Sequence, residues 1–167
     1  GDGGQVPLIV SWLNEDGDSW WDAVQCLSEL PQASALDRLL KELKHHPRPM
    51  VRNHCANAIK MRLGTYSPAR LRKVTRCLLD RVEDPNEHVF VREECVEALG
   101  YILGWRRDWK ALPCTLYRRV KRALLNALSS SRLLACDRGT NSTMRRWRRR
   151  RIRPRSEWVR AACCHAR

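Results

Sequence analysis

Three ungapped segments of this chain read Val-Arg-x-x-Cys-x-x-Ala: residues 51–58, 91–98 and 159–166. On an α-helix the positions 0, +4 and +7 share one stripe, and here that stripe is Val, Cys and Ala, small enough to let neighbouring helices approach closely. A weaker copy starts at Trp20 or Trp21 and continues through Val24 and Leu27. A unit recurring along the chain constrains architecture more than any propensity, because each copy buries its apolar face against the next.

Upstream of each octet lies a second amphipathic pattern. Leu39-Leu40-x-x-Leu43, Leu78-Leu79-x-x-Val82 and Leu124-Leu125-x-x-Leu128 align with one another. Turn residues follow each: His46-Pro47-Arg48-Pro49, Asp84-Pro85-Asn86 and Ser129-Ser130-Ser131. Proline ends one helix there and biases the chain toward a turn before the next. The unit is therefore helix, turn, helix, recurring every 31 to 40 residues. Four such pairs are predicted, over 5–30, 33–63, 68–103 and 112–167. The register places Trp20, Trp21, Phe90 and Trp158 at core positions. Trp105 and Trp109, four apart, share a helix face, and packing explains them.

These motifs resemble HEAT repeats. Asp84-Pro85-Asn86-Glu87-His88-Val89-Phe90-Val91-Arg92 through Ala98-Leu99-Gly100 is similar to the second half of a HEAT unit. The resemblance implies an all-α fold, a right-handed α-α superhelix (a HEAT-like, armadillo-type α-solenoid) of about four helical pairs. It also implies that Asp84 and the arginines Arg52, Arg92 and Arg160 form a polar ladder between neighbouring repeats. Ser19-Trp20-Trp21-Asp22-Ala23-Val24-Gln25 resembles the Trp-Trp-Asp-x-Val-Asp segment of the HEAT-like alkylpurine DNA glycosylases. In that family the final Asp is the catalytic carboxylate. Gln25 stands at that position here, and an amide cannot supply the negative charge.

The last pair is interrupted. From the second Leu of the first helix to the Val of the second is 11 residues in one unit (Leu40 to Val51) and 12 in the next (Leu79 to Val91), but 34 from Leu125 to Val159. The surplus lies in residues 133–155 and ends in Arg145, Arg146, Trp147, Arg148, Arg149, Arg150, Arg151, Ile152, Arg153, Pro154 and Arg155. Like charges repel and little apolar surface is on offer, so this insertion is expected to project as a mobile loop between the repeats of 5–132 and a truncated inner helix at 156–167. Its guanidinium groups could fork onto phosphates while Trp147 stacks on a base, they could dock an acidic protein or a membrane surface, or the insertion could be a solvated segment with no specific role. Charge is divided accordingly. Residues 1–100 hold 13 basic and 15 acidic side chains, and residues 101–167 hold 19 and 3.

Other chemistry is missing from the sequence. No Gly-x-Gly-x-x-Gly, phosphate loop, His-Glu-x-x-His or Gly-x-Ser-x-Gly occurs. The eight cysteines form no Cys-x-x-Cys pair, and neighbours such as Cys163, Cys164 and His165 point about 100° apart on a helix. No metal or other cofactor is expected, nor a small-molecule substrate. The thiols are expected to be reduced and mostly buried, as in a cytoplasmic protein. No run approaches the length of a membrane span and no secretory signal opens the chain. The missing initial Met and the short final helix suggest a segment of a larger protein. The expected function is a non-catalytic scaffold that binds a protein partner, with nucleic-acid binding through the insertion and the basic C-terminal half as the alternative.

Overall fold

A computed structural model describes residues 5–13, 19–30, 33–104 and 112–129. The chain divides into two units, residues 1–130 and 131–167. The insertion, the third octet and Arg160 belong to the second unit, outside the described residues. Within the first unit the described residues form helices and no strands: α1 (Gln5–Trp12), α2 (Ser19–Glu29), α3 (Ala33–His45), α4 (Pro49–Met61), α5 (Pro68–Glu83), α6 (Val89–Gly104) and α7 (Cys114–Ser129). A 3-10 turn, Leu63–Thr65, follows α4.

Local chemistry sets the boundaries. Pro49 and Pro68 occupy the first position of α4 and α5, where a missing N–H costs nothing and φ is already helical. The Ser67 hydroxyl caps α5 by accepting from the Arg70 amide at 3.4 Å. Between α5 and α6 the Asp84 carboxylate accepts from the Asn86 amide at 2.9 Å, closing the turn that Pro85 initiates.

The helices pack as two layers. Each of α1/α2, α3/α4 and α5/α6 is in contact as a pair. Across pairs, α2, α4 and α6 touch in succession, as do α3, α5 and α7. The core lies between the layers. Val51, Cys55, Ala58 and Ile59 of α4 are buried, as are their counterparts Val91, Cys95, Ala98 and Leu99 of α6. Leu39, Leu40 and Leu43 of α3 are buried, as are Leu71, Val74, Leu78 and Leu79 of α5. Thr75 is fully buried and its hydroxyl is satisfied inside its own helix, donating to the Leu71 carbonyl at 2.7 Å.

Three sequence expectations are corrected. In α2 the buried residues are Ala23, Val24, Leu27 and Ser28, so Val24 and Leu27 stand four and seven residues after Trp20, the first of the two starts expected for the weaker copy, and Trp21 falls off the stripe. Trp20 is half-buried and Trp21 is 46% exposed. Phe90, also placed in the core, is 50% exposed, because the position before the octet's Val points off the buried stripe. In α7 Val120, Ala123, Leu124 and Ala127 are buried while Leu125 is 47% exposed, so Ala123-Leu124 takes the place of Leu78-Leu79, a shift of one residue. His46, in the turn between α3 and α4, packs inward. It is buried just beyond α3, its Nδ1 accepting from the Arg48 amide at 3.2 Å and its Nε2 donating to the Leu13 carbonyl at 3.2 Å.

The thiols are mixed. Cys55 and Cys95 are buried, Cys26 and Cys77 partly so, and Cys114 is exposed; all five are free. Burial pushes the Cys55 and Cys95 thiols far up and Cys77 to about 11, which keeps them protonated and unreactive.

Candidate partner-binding surface

Contacts between successive pairs share one spacing. His46 reaches the Leu13 carbonyl, and Arg62 donates to the Ser28 carbonyl and, at 2.7 Å, to that of Leu30. Lys73 pairs with Asp37 at 2.7 Å. The Asn53 amide donates to the Phe90 carbonyl at 2.9 Å. Lys60 pairs with Glu94 and, at 3.3 Å, with Glu97, while Arg119 pairs with Glu83 and, at 3.7 Å, with Asp80. Each joins residues 32 to 39 apart in the chain, so each unit is tied to its immediate neighbour.

The ladder position is the most heavily bonded of these. Arg52 directs Nε and Nη2 onto the Glu87 carboxylate, the latter at 2.6 Å, and its Nη1 donates to the His46 and Pro47 carbonyls at 2.6 and 3.0 Å. Arg81 reaches the same carboxylate at 3.3 Å, and the His88 amide donates to it at 2.7 Å. Glu87, which sequence reasoning passed over, is thus the acid that Arg52 meets. Its side chain is 1% exposed. Asp84 instead closes its turn and lies 3.4 Å from Arg81. Arg92 is half-buried and has no carboxylate partner among the described residues. No local signal separated Glu87 from Glu83 or Glu93, since its role depends on what stands one unit away.

These contacts also orient the α2–α4–α6 layer. First turns meet first turns (Asn53 with Phe90) and ends meet ends (Arg62 with Ser28 and Leu30), so the three helices run parallel. Their first turns therefore line one edge. Along it stand Trp21 at 46%, Met50 at 49% and Phe90 at 50% exposure, one large apolar side chain per helix. Trp20 and Trp21 enclose His54 of the next helix, with ring centroids 5.1 and 4.2 Å from the imidazole. Burial under these indoles lowers the His54 pKa from 6.5. At the α6 end of the row the His88 ring lies 5.0 Å from that of Phe90.

Further along the same layer Lys60 serves two acids. Burial opposes its charge, but the hydrogen bond and charge of Glu94, joined by Glu97, outweigh burial and raise its pKa. Glu94 is itself pushed up, because burial outweighs the pull of Lys60 and Glu97 repels it. Gln25 is exposed and donates to Glu29 at 3.1 Å within its own helix.

Arg145, Arg146, Trp147, Arg148, Arg149, Arg150, Arg151, Arg153, Arg155 and Arg160 lie outside the described residues. Among the described residues no three His, Cys, Asp or Glu side chains cluster as metal ligands, and no helix is long and apolar enough to cross a membrane. No family model matches the chain, and no curated protein or solved structure matches it significantly.

Proposed function

We propose that the chain is a non-catalytic HEAT-like α-solenoid scaffold that holds a protein partner on the first-turn edge of α2, α4 and α6. The observation that carries this reading is the row of Trp21, Met50 and Phe90, three large apolar side chains about half exposed at equivalent ends of three parallel helices. Water-exposed apolar groups scattered singly need no explanation, but a row of them backed by polar groups marks an interaction surface. Helices in contact lie about 8–10 Å apart, so the row presents anchors at regular intervals to a bound segment. Indoles are favoured anchors because they bury much area at small entropic cost. The ion pairs and hydrogen bonds between units hold the spacing of that row before any partner arrives, which lowers the ordering cost of binding.

A random peptide-display selection against the full chain tests this. Peptides or proteins retained by the wild type should not be retained by a Trp21→Ser, Met50→Ser, Phe90→Ser variant whose melting curve is unchanged. Ligands that bind this variant as well as the wild type would refute the assignment of the edge.

A further inference from the structure

We propose that the solvent face of α5 and α7 binds the phosphodiester backbone of nucleic acid. This surface belongs to the other helix layer, so the inference stands apart from the edge described above and from residues 145–155.

Charge is distributed unevenly between the layers. Helices α2, α4 and α6 carry net charges of −2, +2 and −2. Helices α3, α5 and α7 carry +1, +3 and +4. Helix α7 holds Arg118, Arg119, Lys121 and Arg122 and no acid at all. Helix α5 holds two acids, Asp80 and Glu83, and both face Arg119 across the seam. Arg81 of α5 turns inward to Glu87 and Asp84. At the preceding seam Lys73 is neutralised by Asp37. Setting aside Arg72, which is half-buried, that leaves Arg70, Arg76, Arg118, Lys121 and Arg122, all exposed and without a carboxylate partner among the described residues. Positive charge concentrated in this way is self-repelling unless an anion meets it.

The composition of the face selects the anion. Protein interfaces centre on an apolar core from which charge is depleted, whereas nucleic-acid interfaces are polar and strongly positive. On α5 and α7 the only large apolar side chain exposed among the described residues is Leu125. Four of the five unpaired cations are arginines, whose planar fork matches two phosphate oxygens at once. Arg118 and Arg122 are one helical turn apart, about 6 Å along the axis, within reach of successive phosphates on one strand.

The test is fluorescence anisotropy of a short random-sequence DNA duplex with the full chain, titrated between about 50 and 200 mM salt. Three variants are compared with the wild type: Arg118→Gln/Lys121→Gln/Arg122→Gln, Arg70→Gln/Arg76→Gln, and replacement of the eight arginines of 145–155 by Gln. Every phosphate that a variant can no longer neutralise makes the log–log salt slope shallower by about 0.9. The α7 variant should therefore give up close to three in slope and at least tenfold in affinity at low salt. The α5 variant should give up about two in slope, and both reductions should persist in the background of the 145–155 variant. All substituted α5 and α7 residues are exposed, so unchanged thermal melting confirms that the fold is intact. Absence of duplex binding at low salt overturns the proposal, as does an unchanged slope in both helix variants. Preferential binding of polyglutamate over DNA would overturn it in favour of an acidic protein.

Discussion

Replacing Glu87 by Ala removes the carboxylate on which Arg52, Arg81 and the His88 amide converge. Both guanidinium groups would stay where they are, 15% and 16% exposed, Arg52 without a carboxylate and Arg81 with only Asp84 at 3.4 Å. Removing one partner of a buried pair costs about 3–5 kcal/mol. Arg52 retains the His46 and Pro47 carbonyls, and neither arginine is fully dry, so the loss should be about 2–4 kcal/mol. For a chain of this size that lowers the melting temperature by roughly 4–16 °C. Circular dichroism during thermal and urea unfolding measures it. Combining Glu87→Ala with Arg52→Met should recover part of the loss, a coupling of about 1–3 kcal/mol in a double-mutant cycle. Asp84→Ala serves as the contrast. Its carboxylate holds one exposed turn and stands 3.4 Å from Arg81, so it should cost no more than about 1 kcal/mol. If Asp84→Ala proves the more damaging change, or the Arg52–Glu87 coupling is zero, the assignment of the ladder acid is wrong.

Three further outcomes follow from the same packing. Leu124→Ala should destabilise by about 2–4 kcal/mol and Leu125→Ala by less than about 0.5, since they are 5% and 47% exposed; equal costs in urea unfolding would contradict the register of α7. Timed iodoacetamide labelling read peptide by peptide should modify Cys114 well before Cys55 and Cys95, and equal rates would show that the inner thiols are reachable. Burial depresses the His54 pKa below 6.5, so the unfolded chain binds that proton first: its contribution to stability is complete above pH 6.5 and declines as pH falls through 6.5 toward the folded value. His54→Gln should remove this part of the pH dependence, and an unaltered profile would mean the imidazole is not held under the indoles.

The octets and the Leu pairs were legible because they are local. A helix writes its buried face into the chain at a spacing of three and four residues, so Val51, Cys55 and Ala58, or Leu78 and Leu79, declare themselves without reference to anything distant. The prolines and the Asp84 turn are local in the same sense, and the helix boundaries follow from them. Trp21 failed as a core position because large aromatic residues look like core, whereas the stripe runs from Trp20 through Val24 and Leu27 and leaves Trp21 on the rim. Leu125 failed for a related reason: a Leu pair near a helix end fits two registers one residue apart, and only packing against α5 selects between them.

By itself, then, the order of residues determined that this protein is helical, that its helices come in repeating pairs, and which stripe of each is buried. Tertiary structure alone decided which charges meet. Glu87 and not Asp84 receives Arg52, Lys60 takes two acids, and both carboxylates of α5 turn to Arg119, leaving the face of α5 and α7 basic. Those choices depend on the stagger between neighbouring helices, which brings together side chains 32 to 39 positions apart, and a spacing that wide leaves no periodic trace along a single helix.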